Sequence, residues 1–242
     1  MPSRLSWRRS VHFKHNHYMT TKLNPESPEN FEQKCCCALV LDVSYSMSGE
    51  PIDQLNKGIQ AFYTDISSDS TTANRLEVAV VEFSDTVYTT VPASLVSNFT
   101  MPLLTVKGST KLVDGVREGI RIVNERKQYY KQTGQPYYRP WVILITDGAP
   151  DAGQDVQGLS QEIRAGMAAK GFNFLAIGVA SADMALLKQI SDPAMEPAQL
   201  QGLKFSEFFK WLSASMSAIT NSATNQKIDM PNPQGWMNGY TV

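Results

Sequence analysis

Five oxygen-bearing side chains stand at points of the chain where apolar segments give way to polar loops. Asp42, Ser44 and Ser46 follow a continuous apolar run in the segment LVLDVSYSMSGEPI. Thr110 lies in the segment KGSTK, and Asp147 ends the apolar segment WVILITD. Their donors are all hard oxygens, which suit Mg²⁺ or Ca²⁺, with Mn²⁺ as a substitute. The residue types therefore predict a divalent-metal site.

The spacing of the first three side chains is that of an extended segment, in which alternate residues face the same way. Val43 and Tyr45 should therefore point away from an ion held between their neighbours. Ahead of Thr110, Gly108 lets the backbone approach closely. Both features favour a site built from loops.

Each of these residues also has an ordinary structural interpretation. Asp42 and Ser44 could cap the helix expected near Pro51, and Thr110 could cap the following helix. Asp147 and the glycine after it could form a simple turn. Only the placement of all five residues at one edge of a sheet favours the metal site over these alternatives.

Three acidic residues and two tyrosine pairs are further candidates. Asp151 and Asp155, in the loop after the WVILITD segment, are predicted to be solvated rather than ligands. Glu82 ends an apolar segment and is a candidate for contacting the metal ligands without binding the ion itself. The tyrosine pairs at 129–130 and 137–138 either form an exposed contact patch or pack beneath a helix.

The strands and helices that position these loops are indicated by apolar runs that alternate with amphipathic segments along the chain. The runs CCCALVLD, LEVAVVEF, WVILITD and FNFLAIGVA are typical of strands buried on both faces. TVYTTV follows the second run after only Ser84 and Asp85, which indicates a hairpin, and AQLQGL is a candidate edge strand. Helical stripes begin at Ile52, Leu112, Leu159 and Phe205, with a short helix at 183–190.

This order predicts an α/β fold: a doubly wound, mostly parallel six-stranded sheet with one antiparallel edge hairpin and helices on both faces. Such sheets bind ligands at the carboxyl ends of their strands. Asp42 and Asp147 each end a predicted strand, so we expect them to share one edge of the sheet.

The predicted domain spans residues 34–221, between two tails. Residues 1–33 are basic and then rich in Pro, Asn, Ser and Glu, which predicts disorder, and Met19 is an alternative start. Residues 222–242 form a second predicted tail, although Trp236 in it could dock against the domain, as could Tyr240.

Composition excludes several classes of function. A net charge of -1 gives no footprint for nucleic acid, and no apolar run approaches the roughly 20 residues that span a membrane. The histidines, His12, His15 and His17, all precede the domain, so a Ser-His-Asp triad cannot form within it. The adjacent cysteines 35–37 are interpreted as small apolar strand residues, and the absence of a signal peptide and of paired cysteines favours the reducing cytoplasm. We expect the protein to be a monomer when alone.

The segments DVSYS, KGST and ITDG, in this order, resemble the DxSxS…T…D pattern of the metal-ion-dependent adhesion site in von Willebrand factor A domains. The resemblance covers about residues 34–221. Within that family, SMSGEPI, YRPWVILITDGAPD and FFKWLSASM resemble small bacterial proteins of tellurite-resistance operons. Tyr45 and Ser109 stand where the usual pattern has glycine, but neither change removes a ligand.

The resemblance implies that Ser44, Ser46 and Thr110 coordinate Mg²⁺ directly, while Asp42 and Asp147 act through water. It also implies that a Glu or Asp of a partner protein completes the coordination. The metal then serves as a docking point in a protein-binding module, with a role in bacterial stress or tellurite resistance, and not as a catalyst.

Two other functions stay open as alternatives. The first is a Mg²⁺-dependent phosphoryl-transfer enzyme using Asp42, although the related phosphatases have a second acid where this chain has Ser44. The chain also has no G-x-x-x-x-G-K loop for a nucleotide. The second alternative is a structural subunit whose metal site is vestigial.

Overall fold

Parallel strands form the centre of the molecule, in a computed structural model that describes residues 30–223, 228, 231–233 and 236–237. The strands found in these residues are β1 (Cys35–Asp42), β2 (Leu76–Phe83), β3 (Val87–Leu95), β4 (Trp141–Thr146), β5 (Asn173–Gly178) and β6 (Ala198–Gln199). The α-helices are α1 (Glu50–Ser68), α2 (Ser70–Arg75), α3 (Leu112–Thr133), α4 (Val156–Ala168), α5 (Met184–Ile190) and α6 (Phe205–Thr220).

The strand order is β3-β2-β1-β4-β5-β6, and only the pairing of β2 with the edge strand β3 is antiparallel. The predicted α/β sheet with one antiparallel edge hairpin is confirmed. Leu41 of β1 pairs with Ile145 of β4. The chain therefore leaves these two strands side by side, so Asp42 and Asp147 lie at the same edge.

Two apolar layers cover the sheet, one on each face. Odd-numbered residues of β1, from Cys35 to Leu41, pack in the layer that contains α1 and α6. Even-numbered residues, from Cys36 to Val40, pack in the layer that contains α3, α4 and α5. Because both faces are covered, the strand must be apolar at every position, as its sequence is.

The three neighbouring thiols behave as core residues. All are fully buried and free of disulfides. Burial raises the pKa of Cys35 to about 12, with a further rise from the charge of Glu77. A thiol held in its protonated form is a poor nucleophile and a poor metal ligand, so these cysteines contribute packing.

Helix α3 packs closely on the sheet because glycines face it. A β-carbon added at Gly119 would lie 2.6 Å from Cγ2 of Val40, and one added at Gly115 would lie 2.8 Å from Cβ of Phe83. The absence of side chains at these positions fixes the start of α3 against the ends of β1 and β2. The loop that carries Thr110 is thereby held over the same edge of the sheet.

The structure adds helix α2 to the predicted elements and shows where the segment around Trp236 packs. Helix α2 follows Asp69, whose carboxylate accepts the backbone N–H groups of Thr71 and Thr72 at 3.0 and 3.3 Å. Trp236 is buried at 3% exposure, with its ring centroid 4.9 Å from that of Phe208. The segment around Trp236 therefore packs on α6, whereas Tyr240 and the predicted tail residues 1–29 lie outside the described residues.

The tyrosine pairs pack rather than form a patch. Tyr130 is 1% exposed and stacks on Tyr137 with ring centroids 5.6 Å apart. Its hydroxyl donates to Glu77, which also accepts hydrogen bonds from the guanidinium of Arg126. This buried group joins β2 to α3.

In the described residues, no helix has both the length and the apolar character needed to cross a membrane.

The buried ion pair generates a prediction about stability. Arg126→Met leaves the carboxylate of Glu77, 1% exposed, without its cation. We expect a loss of about 3–5 kcal/mol in the free energy of unfolding, measured by urea denaturation. Arg121→Met, which breaks surface pairs of a 46% exposed arginine, should cost at most about 1 kcal/mol. Equal losses for the two variants would contradict this account.

Candidate metal centre

The loop after β1 and the loop before α3 run side by side at the edge of the sheet. The N–H of Lys107 donates to the carbonyl of Val43 at 2.7 Å, and the N–H of Tyr45 donates to that of Gly108 at 3.1 Å. Val43 is fully buried, whereas Tyr45 is 69% exposed. Residues Tyr45–Met47 form a short 3-10 helix, so the extended spacing expected from the sequence does not continue as far as Ser46.

Hydrogen bonds connect four of the five predicted ligands. The Ser44 and Ser46 hydroxyl oxygens lie 3.0 Å apart, and the Ser46 hydroxyl donates to Oδ1 of Asp147 at 2.7 Å. The N–H of Ser44 donates to Oδ1 of Asp42 at 2.8 Å. The structure therefore brings together the polar groups of two loops that are about a hundred residues apart in sequence.

The surroundings of Gly148 show that the fifth residue, Thr110, lies close to the other predicted ligands. A β-carbon built on Gly148 would lie 3.7 Å from Oγ of Ser46, 3.8 Å from Oδ2 of Asp42 and 3.8 Å from Cγ2 of Thr110. Side chains from the end of β1 and its loop, and from the loop before α3, thus surround a glycine of a third loop. Thr110 is 9% exposed there.

The two carboxylates occupy an unfavourable environment for negative charge. Asp42 is fully buried and Asp147 is 7% exposed. Burial raises the pKa of Asp42, hydrogen bonds from Ser44 and Thr146 lower it in part, and the nearby charge of Asp147 raises it again. Burial likewise raises the pKa of Asp147, against the hydrogen bond from Ser46. A bound cation would stabilise both ionised carboxylates.

The donor set fits a hard divalent cation. It consists of two carboxylates and three hydroxyls, and oxygen donors of this kind suit Mg²⁺, Ca²⁺ or Mn²⁺. In the described part of the chain, no three His, Cys, Asp or Glu side chains stand close enough together to hold a metal ion. An ion at this edge would therefore depend on the serine and threonine hydroxyls.

The capping alternatives are wrong. Helix α1 has Gly49 at its N-cap, without a side-chain cap, and α3 has Lys111. Asp42, Ser44 and Thr110 therefore do not cap α1 or α3. Their assignment as metal ligands stays a prediction.

Three further acidic residues have defined partners. Asp155 caps α4 through the N–H of Gly158 and pairs with Arg117 at 2.8 Å. Glu82 accepts a hydrogen bond of 2.6 Å from the Thr90 hydroxyl of β3 and pairs with Lys107, in the loop before α3, at 3.8 Å. Asp151 is exposed, as expected, but its carboxylate accepts the N–H of Thr110.

Sequence reasoning did not identify the roles of Thr146 and Asp151. The Thr146 hydroxyl donates to Oδ2 of Asp42 at 2.5 Å. Its position beside Asp147 at the end of a strand was a usable signal, because parallel strands in register place their ends together. The contact of Asp151 depends on which loops meet, and no local pattern predicts it.

Comparisons with known proteins agree with this fold. The family model described as von Willebrand factor type A domain matches residues 38–209, which run from β1 into α6. A search of the curated proteins finds no sequence that matches the chain. The family match confirms the resemblance carried by the three motifs.

Several solved structures share the fold. The pilus adhesin SpaC from Lactobacillus rhamnosus GG aligns with a TM-score of 0.62 and 15% identity, over 78% of this chain and 30% of the adhesin. Proximal thread matrix protein 1 from the mussel byssus, with a zinc-occupied MIDAS motif, aligns with a TM-score of 0.54 and 21% identity, over 77% and 48%.

BatB from Bacteroides thetaiotaomicron aligns with a TM-score of 0.53 and 16% identity, over 78% of this chain and 100% of BatB. The chain spans less than half the length of the adhesin and of the matrix protein. Identities this low show a shared fold alone. With the family match across more than half of its residues, the chain belongs to the von Willebrand factor type A domain family.

Proposed function

We propose that the chain is a protein-binding module in which Mg²⁺ docks an acidic residue of a partner protein. The observation that carries the proposal is the hydrogen-bonded set of Ser44, Ser46 and Asp147 beside Asp42. It supplies many oxygen donors but only two negative charges. A divalent cation held mainly by hydroxyls keeps affinity for one more anionic oxygen.

The two serines differ in a way that supports a docking site. Ser44 is 2% exposed, whereas Ser46 and its neighbour Tyr45 are exposed. In this proposal Ser44, Ser46 and Thr110 coordinate the ion, and Asp42 and Asp147 act through water. A partner would approach from the exposed side, where a Glu or Asp carboxylate replaces water.

Mg²⁺ is the proposed ion because the donors are oxygens only, with Mn²⁺ or Ca²⁺ as substitutes. The zinc-occupied MIDAS motif of the byssus protein supports the capacity of such a site for a divalent ion. A protein partner, rather than nucleic acid or membrane, agrees with the net charge of -1.

A non-enzymatic role is favoured by the burial of Asp42. A phosphoryl-transfer enzyme would need this carboxylate as an accessible nucleophile, but the side chain is fully buried and accepts two hydrogen bonds. The similar adhesin and matrix proteins support a binding role. A cytoplasmic monomer acting in stress or tellurite resistance completes the proposal.

The first experiment tests the metal site with Asp147→Ala. Calorimetry should show weak Mg²⁺ and Mn²⁺ binding to the unaltered protein, because one position is left to water. The variant should bind Mn²⁺ at least about tenfold more weakly, a difference of about 1.4 kcal/mol. Its free energy of unfolding in EDTA should be unchanged or higher, because the substitution removes repulsion with Asp42.

Asp183→Ala is the matched control for this experiment. Asp183 caps α5 by accepting the N–H of Leu186 at 3.0 Å. Its removal should cost about 1 kcal/mol of stability and leave Mn²⁺ affinity unchanged. If the unaltered protein binds neither ion at millimolar concentration, or if Asp147→Ala binds Mn²⁺ equally well, the metal site is refuted.

A second experiment tests the docking surface with Tyr45→Ala. The backbone of Tyr45 is held by Gly108 and Ser48, while its ring stays exposed beside the site. Peptides selected from a phage library in Mg²⁺ should contain Glu or Asp and should be released by EDTA. We expect the variant to bind these peptides at least about tenfold more weakly, as for aromatic contact residues in interfaces, with unchanged Mn²⁺ affinity.

Tyr88→Ala is the control for the docking surface. Tyr88 is 52% exposed but lies on the edge strand β3, where its ring contacts the ammonium of Lys107. Its removal should leave peptide binding nearly unchanged. Selected peptides without an acidic residue, or peptide binding that survives EDTA, would contradict docking through the metal.

A further inference from the structure

The loop between β4 and α4 forms hydrogen bonds with the backbone of Thr110. Both oxygens of the Asp151 carboxylate accept the N–H of Thr110, at 3.1 and 3.2 Å. The hydroxyl of Ser109 donates to the same carboxylate at 2.6 Å. Ser109 replaces the glycine of the usual family pattern, so this chain has an added donor at the contact.

The same loop satisfies the other backbone group of Thr110. The carbonyl of Thr110 accepts the N–H of Asp151 at 3.0 Å and the side-chain amide of Gln154 at 2.6 Å. The amide oxygen of Gln154 accepts the N–H of Val113, in the first turn of α3, at 2.8 Å. Two side chains therefore fix both the threonine and the start of the helix that follows it.

These contacts leave the side chain of Thr110 available. None of the hydrogen bonds found among the described residues uses its hydroxyl, whereas its N–H and carbonyl are both occupied. Asp147, which accepts the Ser46 hydroxyl, lies at the start of the loop that carries Asp151. One loop thus supplies a carboxylate to the site and sets the position of a hydroxyl opposite it.

We propose that Asp151, assisted by Gln154, is the positioning residue that holds Thr110 against the metal ion. The inference rests on the proposed metal-binding function. Without these contacts the Thr110 loop would have to be ordered when the ion binds, and that loss of conformational entropy would weaken binding. Mutation of a residue that orients a metal ligand typically lowers the affinity for the metal by about 10–100-fold.

A double-mutant cycle with Mn²⁺ tests the role, using calorimetry on the full chain. Asp151→Ala should weaken Mn²⁺ binding by about 10-fold or more. In a Thr110→Val background the same substitution should have no more than about a twofold effect, because coupled residues are not additive. Asp151→Asn keeps an oxygen that accepts the Thr110 N–H and should recover most of the affinity.

Asp155→Ala is the matched control in the same loop. Asp155 caps α4 and contacts Arg117, so its removal should lower stability while Mn²⁺ affinity stays the same. Urea unfolding in EDTA identifies the folded variants. Should Asp151→Ala not fold, Gln154→Met and Ser109→Ala each remove one part of the contact and replace it in the cycle.

The outcomes separate the inference from the proposed function. If the unaltered protein does not bind Mn²⁺, the metal-binding function itself fails. If it binds Mn²⁺ and Asp151→Ala binds equally well, the positioning role is overturned. If Asp151→Ala loses the same affinity in the Thr110→Val background as alone, Asp151 acts on the ion independently of Thr110, which also overturns the role.

Discussion

The parallel pairing of β1 with β4 is the constraint on which the site depends. Leu41 pairs with Ile145, so the next residues of both strands emerge together at one edge of the sheet. Asp42 and Asp147 are thereby held near each other in a buried environment that raises the pKa of each carboxyl group. Hydroxyls and backbone N–H groups solvate these charges, and a divalent cation is the partner that would stabilise them most.

The rest of the fold serves this edge by fixing the loops around it. Two apolar layers hold the strands in register, and Gly115 and Gly119 let α3 approach the sheet closely. Contacts between the loops then set the positions of the hydroxyls. The strands therefore place the two carboxylates, whereas Thr110 is placed by the contacts of its backbone with Asp151 and Gln154.

Much of the architecture could be predicted because buried parallel strands require unbroken apolar runs. The runs at 35–42 and 76–83 coincide with β1 and β2. Helix α2 was missed since it is short and depends on its Asp69 cap, and the packing of Trp236 on α6 has no periodic signal. The predicted ligands lie together, but the contacts of Thr146 and Asp151 depend on tertiary neighbours that local sequence does not specify.

Diffraction from crystals soaked in Mn²⁺, recorded at the manganese absorption edge, tests the central claim most directly. The account predicts one anomalous peak at the edge of the sheet, with hydroxyl oxygens of Ser44 and Ser46 about 2.0–2.6 Å from the ion, as for hard cations with oxygen ligands. A map without a peak between Asp42 and Asp147, or with the ion bound elsewhere while Ser46 still donates to Asp147, would contradict it.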